Sequence, residues 1–169
     1  MDVLEAVRSK HALREFADRP VPEDDIRAIL NAGRRAQSWH NTQTWRFIVV
    51  QDTAMKQKLS TSGRSTKHAA GAAFVIVLCI PQENDLTLWN YFDLGQSASY
   101  LQLAAHSLGV GSSLGTIYEP DQVREWLGIA SDWWSPLLLS MGYPKDTVPR
   151  PPKAGGRLPF DEVVHWGKW

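Results

Sequence analysis

The chain has 169 residues, of which 43% are hydrophobic and 21% charged, and its formal net charge at pH 7 is zero. These values predict one globular domain, residues 1–169, without the basic surface that nucleic-acid binding requires. The longest apolar runs, such as residues 72–80, are too short to span a membrane, and the N-terminus lacks a signal-peptide pattern. With one cysteine, Cys79, and so no intramolecular disulfide, a cytoplasmic protein without nucleic-acid or membrane partners is predicted.

The N-terminal region combines a short helix with a basic stretch. Residues 2–9 are predicted to be helical, with Leu4 and Val7 inward. In the following RSKHALREF (8–16), an extended chain would place Lys10, Ala12 and Arg14 on one side and turn Leu13 into the core. Two cations with backbone N–H groups between them suit a phosphate monoester. A solvated run of charges is the alternative.

A polar insert precedes the first predicted strand. Pro22 and three acidic residues begin a helix, and AQSWHNTQTW (36–45) then leads into an apolar strand at 46–51. Serine, asparagine and glutamine side chains both donate and accept hydrogen bonds, so they suit the edge of a planar heteroaromatic ring. A water-facing polar loop between core tryptophans is the alternative.

The rest of the chain predicts a small sheet covered by helices. A mobile loop at 60–67 precedes a buried strand at 74–80, a long helix at 88–108 and a turn-rich segment at 111–120. A third strand is predicted at 136–141. Residues 144–159 carry five prolines and two adjacent glycines, which favours an extended arm. No zinc-site spacing, nucleophile motif or phosphate-binding glycine loop is found, so no metal is predicted.

The basic stretch and the polar insert together resemble the nitroreductase family of FMN-dependent oxidoreductases. That family opens with R-R-S-x-R-x-F and P-V-x-x-E, and continues with A-P-S-x-x-N-x-Q-P-W-x-F before a strand. The corresponding segments here are KHALREF, RPVPEDDI and AQSWHNTQTWRFIVV, in the same order and spacing. Later segments, including MGYP and GGRLPFDEVVHW, extend the resemblance over nearly the whole chain.

The resemblance implies a set of FMN-binding residues and no catalytic side chain. The basic stretch would bind the phosphate and ribityl chain, the polar insert would reach the flavin across a dimer interface, and a later loop would offer a backbone N–H to its redox nitrogen. One residue within 64–68, not specified by the resemblance, would also meet the ring. The residues concerned are Lys10, His11, Ala12, Arg14, Gln37, Ser38, Trp39, Asn41, Gln43, Leu114, Gly115 and Arg157.

The resemblance also implies a fold and an activity. The fold would be α+β, with a small, mainly antiparallel sheet flanked by helices and an arm at 144–169 packed on the partner of a homodimer. NADH or NADPH would reduce FMN, and an electron-poor small molecule such as a nitroaromatic or a quinone would reoxidise it. Other flavin chemistry on the same fold, such as dehydrogenation or dehalogenation, is an alternative. A non-enzymatic flavin-binding protein is another, because Ala12, Gln37 and Thr44 depart from the family pattern.

Overall fold

A four-stranded antiparallel sheet forms the centre of the molecule. The computed structural model describes residues 1–82, 85–145 and 156–169. Within these ranges the strand order is β1-β2-β4-β3. The strands are β1 (Arg46–Val50), β2 (Phe74–Pro81), β3 (Gly111–Thr116) and β4 (Trp133–Gly142). β1 and β3 are therefore the two edges, and the mainly antiparallel α+β prediction is confirmed.

Helices cover the sheet. They are α1 (Val3–Ser9), α2 (Glu23–Gly33), α3 (Thr53–Leu59), α4 (Thr87–Ser107), α5 (Pro120–Leu127) and α6 (Phe160–Val163). Side chains cap the helices where the sequence offers an acceptor: the Asp2 carboxylate accepts from the Glu5 N–H, and that of Asp52 accepts from the Met55 N–H. α5 ends at Gly128, whose φ of 64° is left-handed.

The core lies on both faces of β2. Ile76 and Leu78 pack towards α2 and α4, whereas Val75 and Val77 belong to a second cluster on the opposite face. This explains the uninterrupted apolar run of β2, since both faces of the strand are removed from water. α2 and α4 approach closely at Gly33, where an added Cβ would lie 2.5 Å from a methyl carbon of Leu101.

Three local predictions from the sequence were wrong. The segment predicted to be turn-rich contains β3, because pairing with β4 along six residues outweighs the low strand propensity of glycine and serine. The loop predicted to be mobile at 60–67 instead packs against β3, with Ser62 and Thr66 buried. In α1 only Ala6 is buried, and Leu4 and Val7 are 73% and 57% exposed rather than inward.

The C-terminal residues 156–169 are almost entirely exposed. In this segment only Val164 is partly covered, and the side chains of Trp166 and Trp169 are 83% and 100% exposed. Part of the predicted arm, residues 146–155, lies outside the described residues. Among the helices that the structure describes, none is both long and apolar enough to cross a bilayer.

Candidate functional site

β3 is an edge strand. Neighbouring segments hydrogen-bond to its outer edge on both sides of Leu114, and this leaves a gap at Leu114 itself. The Ser112 carbonyl accepts from the Leu13 N–H at 2.9 Å, and the Thr116 N–H donates to Ser65 Oγ at 3.1 Å. Backbone groups two residues apart in a strand face the same edge, so the N–H and C=O of Leu114 also point away from β4. Within the described ranges, no segment pairs with the Leu114 N–H.

The basic stretch covers one side of this gap. Ala12 bridges Ser112 in the parallel sense, and Leu13 packs its side chain against Gly111. Ala12 and Arg14 are exposed while Leu13 is partly buried, as an extended chain predicts. Because the stretch runs parallel to β3, Arg14 follows Leu13 towards Leu114, and its positive charge acts on His68 across the gap.

Residues 62–68 cover the other side. An added Cβ on Gly63 would lie 2.1 Å from the Thr116 carbonyl, and one on Gly115 would lie 3.2 Å from the Ser65 carbonyl. The Tyr118 N–H donates to the Ser62 carbonyl at 2.7 Å. The contact at Gly63 is open only to glycine and the one at Gly115 is tight, and together they hold the segment against β3. The structure thus brings Ala12, Arg14, Leu114, Gly115 and the 64–68 segment together at one edge.

Lys10 and His11 lie where the basic stretch leaves α1. The half-buried Lys10 ammonium donates to Gln102 Oε1 on α4, and that oxygen also accepts from Ser112 Oγ at 3.4 Å. Burial lowers the pKa of Lys10, because it disfavours the charged form. The exposed His11 bonds through Nδ1 to the Ser9 carbonyl at 3.1 Å. Lys10 and His11 therefore lie near the start of the β3 edge.

The backbone of the polar insert adopts a conformation that residues other than glycine rarely take. His40, Asn41 and Gln43 have φ angles of 46°, 58° and 48°, all in the left-handed region. Each such residue costs on the order of 1–3 kcal/mol, and it persists only where the surroundings hold it in place. Gln43 is fixed through its N–H, which donates to Ser38 Oγ at 3.0 Å. Gln37, Asn41 and Gln43 are exposed.

A buried carboxylate attaches the insert to α4. The Trp39 N–H donates to Asp93 Oδ2 at 2.9 Å, and Asp93 is 2% exposed. The Trp39 ring lies nearly parallel to that of Trp89, with centroids 6.4 Å apart, and Trp45 is buried behind the insert as the anchor of β1. The insert is therefore held mainly through its backbone. Ser38 Oγ and Gln43 Nε2 make hydrogen bonds within the insert, whereas the Asn41 side chain is exposed.

The insert and the β3 edge are separate within one chain. The insert precedes β1, which is the opposite edge of the sheet from β3. Their attachment points on α4, Asp93 and Gln102, are nine residues apart, which corresponds to about 14 Å along a helix. Arg157 is exposed in the C-terminal segment. The structure does not bring Gln37, Ser38, Trp39, Asn41, Gln43 or Arg157 to Leu114 in one copy.

Of three polar residues that organise these regions, sequence reasoning missed Asp93 and Gln102, and it included His68 only as one member of the 64–68 segment. Asp93 holds the insert, Gln102 holds Lys10, and His68 lies under the β3 edge with Nδ1 2.7 Å from Ser140 Oγ. Asp93 and Gln102 could have been noticed as polar residues beside the apolar stripe of a long helix. The part of the chain that the structure describes contains no group of three or more histidine, cysteine or acidic side chains that could bind a metal ion.

Comparison with known proteins covers almost the whole chain. The family model described as nitroreductase family matches residues 7–66 and 63–143. A protein of Thermus thermophilus named NADH dehydrogenase is 28% identical over 98% of this chain and 96% of its own. The NADPH-flavin oxidoreductase of Vibrio harveyi is 25% identical over 97% of this chain and 73% of its own.

Solved structures agree with these matches. The FMN-dependent nitroreductase of Clostridium difficile R20291 superposes with a TM-score of 0.86, at 25% identity, over 99% of this chain and 100% of that one. The matched residues include the basic stretch, the polar insert, the 64–68 segment and β3. The chain belongs to the nitroreductase family.

Proposed function

We propose that this chain is an FMN-dependent NAD(P)H oxidoreductase that works as a homodimer in the cytoplasm. Bound FMN would supply the two-electron chemistry, taking a hydride from NADH or NADPH and passing electrons to an electron-poor acceptor such as a nitroaromatic or a quinone. The protein's contribution is binding, orientation and electrostatics, and no side chain is assigned as a catalytic acid or base.

The observation that carries this proposal is the one-residue gap at Leu114, between the two segments that hydrogen-bond to the β3 edge. The Leu114 N–H has no partner among the described residues, and Arg14 flanks the gap. A planar heterocycle with acceptor atoms on its edge fits a single N–H donor, and an attached phosphate fits the neighbouring cations. The residues present therefore fit FMN.

Each residue at this edge has a physical task. Arg14, Lys10 and His11 would hold the phosphate, with the backbone of Ala12 adding a donor where relatives carry serine. The Leu114 N–H would meet the ring, with Gly115 beside it in the strand. The fixed N–H and nearby positive charge would stabilise negative charge on the reduced ring, without reorganisation when the electrons arrive.

The homodimer is supported by the separation of the two regions. The insert presents polar side chains to solvent far from Leu114, and apolar residues on α1 and α4, including Leu4, Leu88 and Phe92, are exposed and not covered by any of the residues that the structure describes. Apolar surface of this kind is typical of subunit interfaces. A second copy would supply Gln37, Ser38, Trp39, Asn41 and Gln43 to the flavin, with Arg157 and the exposed tryptophans of the C-terminal segment packed on the partner.

An absorbance spectrum of the purified protein tests the cofactor and the activity together. We expect flavin bands, or their appearance after FMN is added and the excess removed, and anaerobic bleaching of those bands by NADH or NADPH. A colourless protein would contradict flavin binding. Flavin that stays oxidised with both nucleotides would contradict the nicotinamide-driven reaction and favour the other flavin chemistry. Sedimentation of the holoprotein as a monomer would contradict the homodimer.

A further inference from the structure

His68 is a buried side chain beside the gap at Leu114 that the proposed mechanism does not use. It lies in the short 3-10 turn Lys67–Ala69, and only 8% of the residue is exposed to solvent. Its Nδ1 lies 2.7 Å from Ser140 Oγ on β4, and Ser140 is paired across the strands with Ser113 of β3. The ring therefore lies directly under the strand that carries Leu114.

The other ring nitrogen has no partner. Nε2 of His68 is buried and makes no hydrogen bond among the described residues. The carbonyls of Leu114 and Ser65 nevertheless lie close enough to raise the pKa of His68. Burial, the largest influence, and the Arg14 charge outweigh them and lower that pKa, so the ring is neutral at neutral pH. A neutral imidazole has one N–H donor and one acceptor nitrogen.

The neighbours decide which nitrogen carries the proton. The Ser140 hydroxyl can either donate or accept, whereas the Leu114 and Ser65 carbonyls can only accept. With Nδ1 occupied by Ser140, Nε2 is the nitrogen left to face the carbonyls, and two acceptors facing each other would repel. The arrangement that satisfies every atom has Ser140 donating to Nδ1 and the proton on Nε2.

We propose that His68 is a positioning residue of the flavin site, whose Nε2–H donates to the Leu114 carbonyl when flavin is bound. This inference rests on the proposed function. The Leu114 carbonyl lies on the same strand edge as the Leu114 N–H that would meet the ring. In the complex this bond would restrict rotation of the strand edge, and so hold the Leu114 N–H against the ring. A hydrogen bond that forms together with the complex adds to the affinity for flavin.

Two isosteric variants separate this role from a merely structural one. In His68→Gln the side-chain amide reaches the position of Nε2 and can donate to the Leu114 carbonyl. In His68→Asn the amide reaches only the position of Nδ1, so it keeps the Ser140 contact and loses the other donor. We expect His68→Asn to weaken FMN binding by about tenfold, and His68→Gln by less than about threefold. Quenching of flavin fluorescence measures the dissociation constant, and circular dichroism checks the fold.

The opposite order, or wild-type affinity in both variants, would overturn the proposal. If His68→Asn does not fold, nitrogen-15 NMR of histidine-labelled wild-type protein decides. We expect His68 as the Nε2–H tautomer, with its Nε2 proton more slowly exchanging after FMN is added. A predominant Nδ1–H tautomer would overturn the inference. A wild-type protein that binds no FMN would instead overturn the proposed function, and the tautomer measurement would still report on His68 separately.

Discussion

The β3 edge and the polar insert are two halves of the proposed site built in opposite ways. At the β3 edge, hydrogen bonds to the strand backbone hold neighbouring segments on both sides of Leu114, from the Leu13 N–H on one side and to Ser65 Oγ on the other. In the insert, strained left-handed residues hold polar side chains out in solvent, and one buried carboxylate fixes the backbone. The first region is complete within one chain. In the second, polar side chains are exposed to solvent, where the proposed second copy would lie.

The largest expected effect comes from the basic stretch at the β3 edge. Arg14→Ala should weaken FMN binding by one to a few kcal/mol, about tenfold or more, because it removes a charge-assisted contact with the phosphate. Fluorescence titration with FMN measures the loss, and riboflavin, which lacks the phosphate, should lose little. Arg27→Ala is the matched control, since Arg27 is paired with Glu23 on α2. Equal losses for FMN and riboflavin would show that Arg14 does not bind the phosphate.

A smaller effect is expected where the insert is attached to α4. Asp93→Ala leaves the Trp39 N–H without its acceptor, so the free energy of unfolding should fall by about 1–3 kcal/mol. Urea unfolding measures this change. Asp93→Asn, which keeps an oxygen acceptor, should retain more of the stability. FMN and riboflavin affinities should fall together, because the insert would meet the ring; a loss confined to FMN would place the insert at the phosphate instead.

The smallest effect concerns the strain of the insert. Gln43→Gly relieves a side chain at φ 48°, so we expect a gain in the free energy of unfolding of up to about 1 kcal/mol. The same change removes a side chain proposed to reach the flavin of the partner, so FMN affinity should decrease. Thermal unfolding of the apoprotein and flavin titration measure the two effects. Increased stability with unchanged affinity would show that the strain at Gln43 serves no binding role.

The sequence predicted the α+β class because its strongest signals are local. The uninterrupted apolar run of β2 and the apolar stripe of α4 both lie within a few residues of their predicted bounds. β3 was missed because Gly111, Ser112 and Ser113 have little strand propensity, and only pairing with the distant β4 makes them a strand. A single sequence does not show such long-range pairing.

The difference between local signals and long-range contacts also decides what could be predicted of the site. The basic stretch and the insert were found because each is one continuous motif of charged or polar residues. The separation of the two regions could not be read from the motifs, because it depends on strand order. His68 and Gln102 act through partners on distant segments, at Ser140 and Lys10, and no local pattern distinguishes them from ordinary polar residues. Nor does the sequence show that the segment at 64–68 is held by glycine contacts.

The one-residue gap at Leu114 also bears on solubility. An uncovered strand edge can accept a strand from another molecule and so begin aggregation, which needs several consecutive backbone pairs. Here Leu13 closes the edge on one side of Leu114 and Ser65 closes it on the other. The opening that remains is long enough to receive a small planar molecule and too short to receive another strand. The arrangement of covering segments that leaves room for the proposed ligand thus also excludes the associations that a bare sheet edge invites.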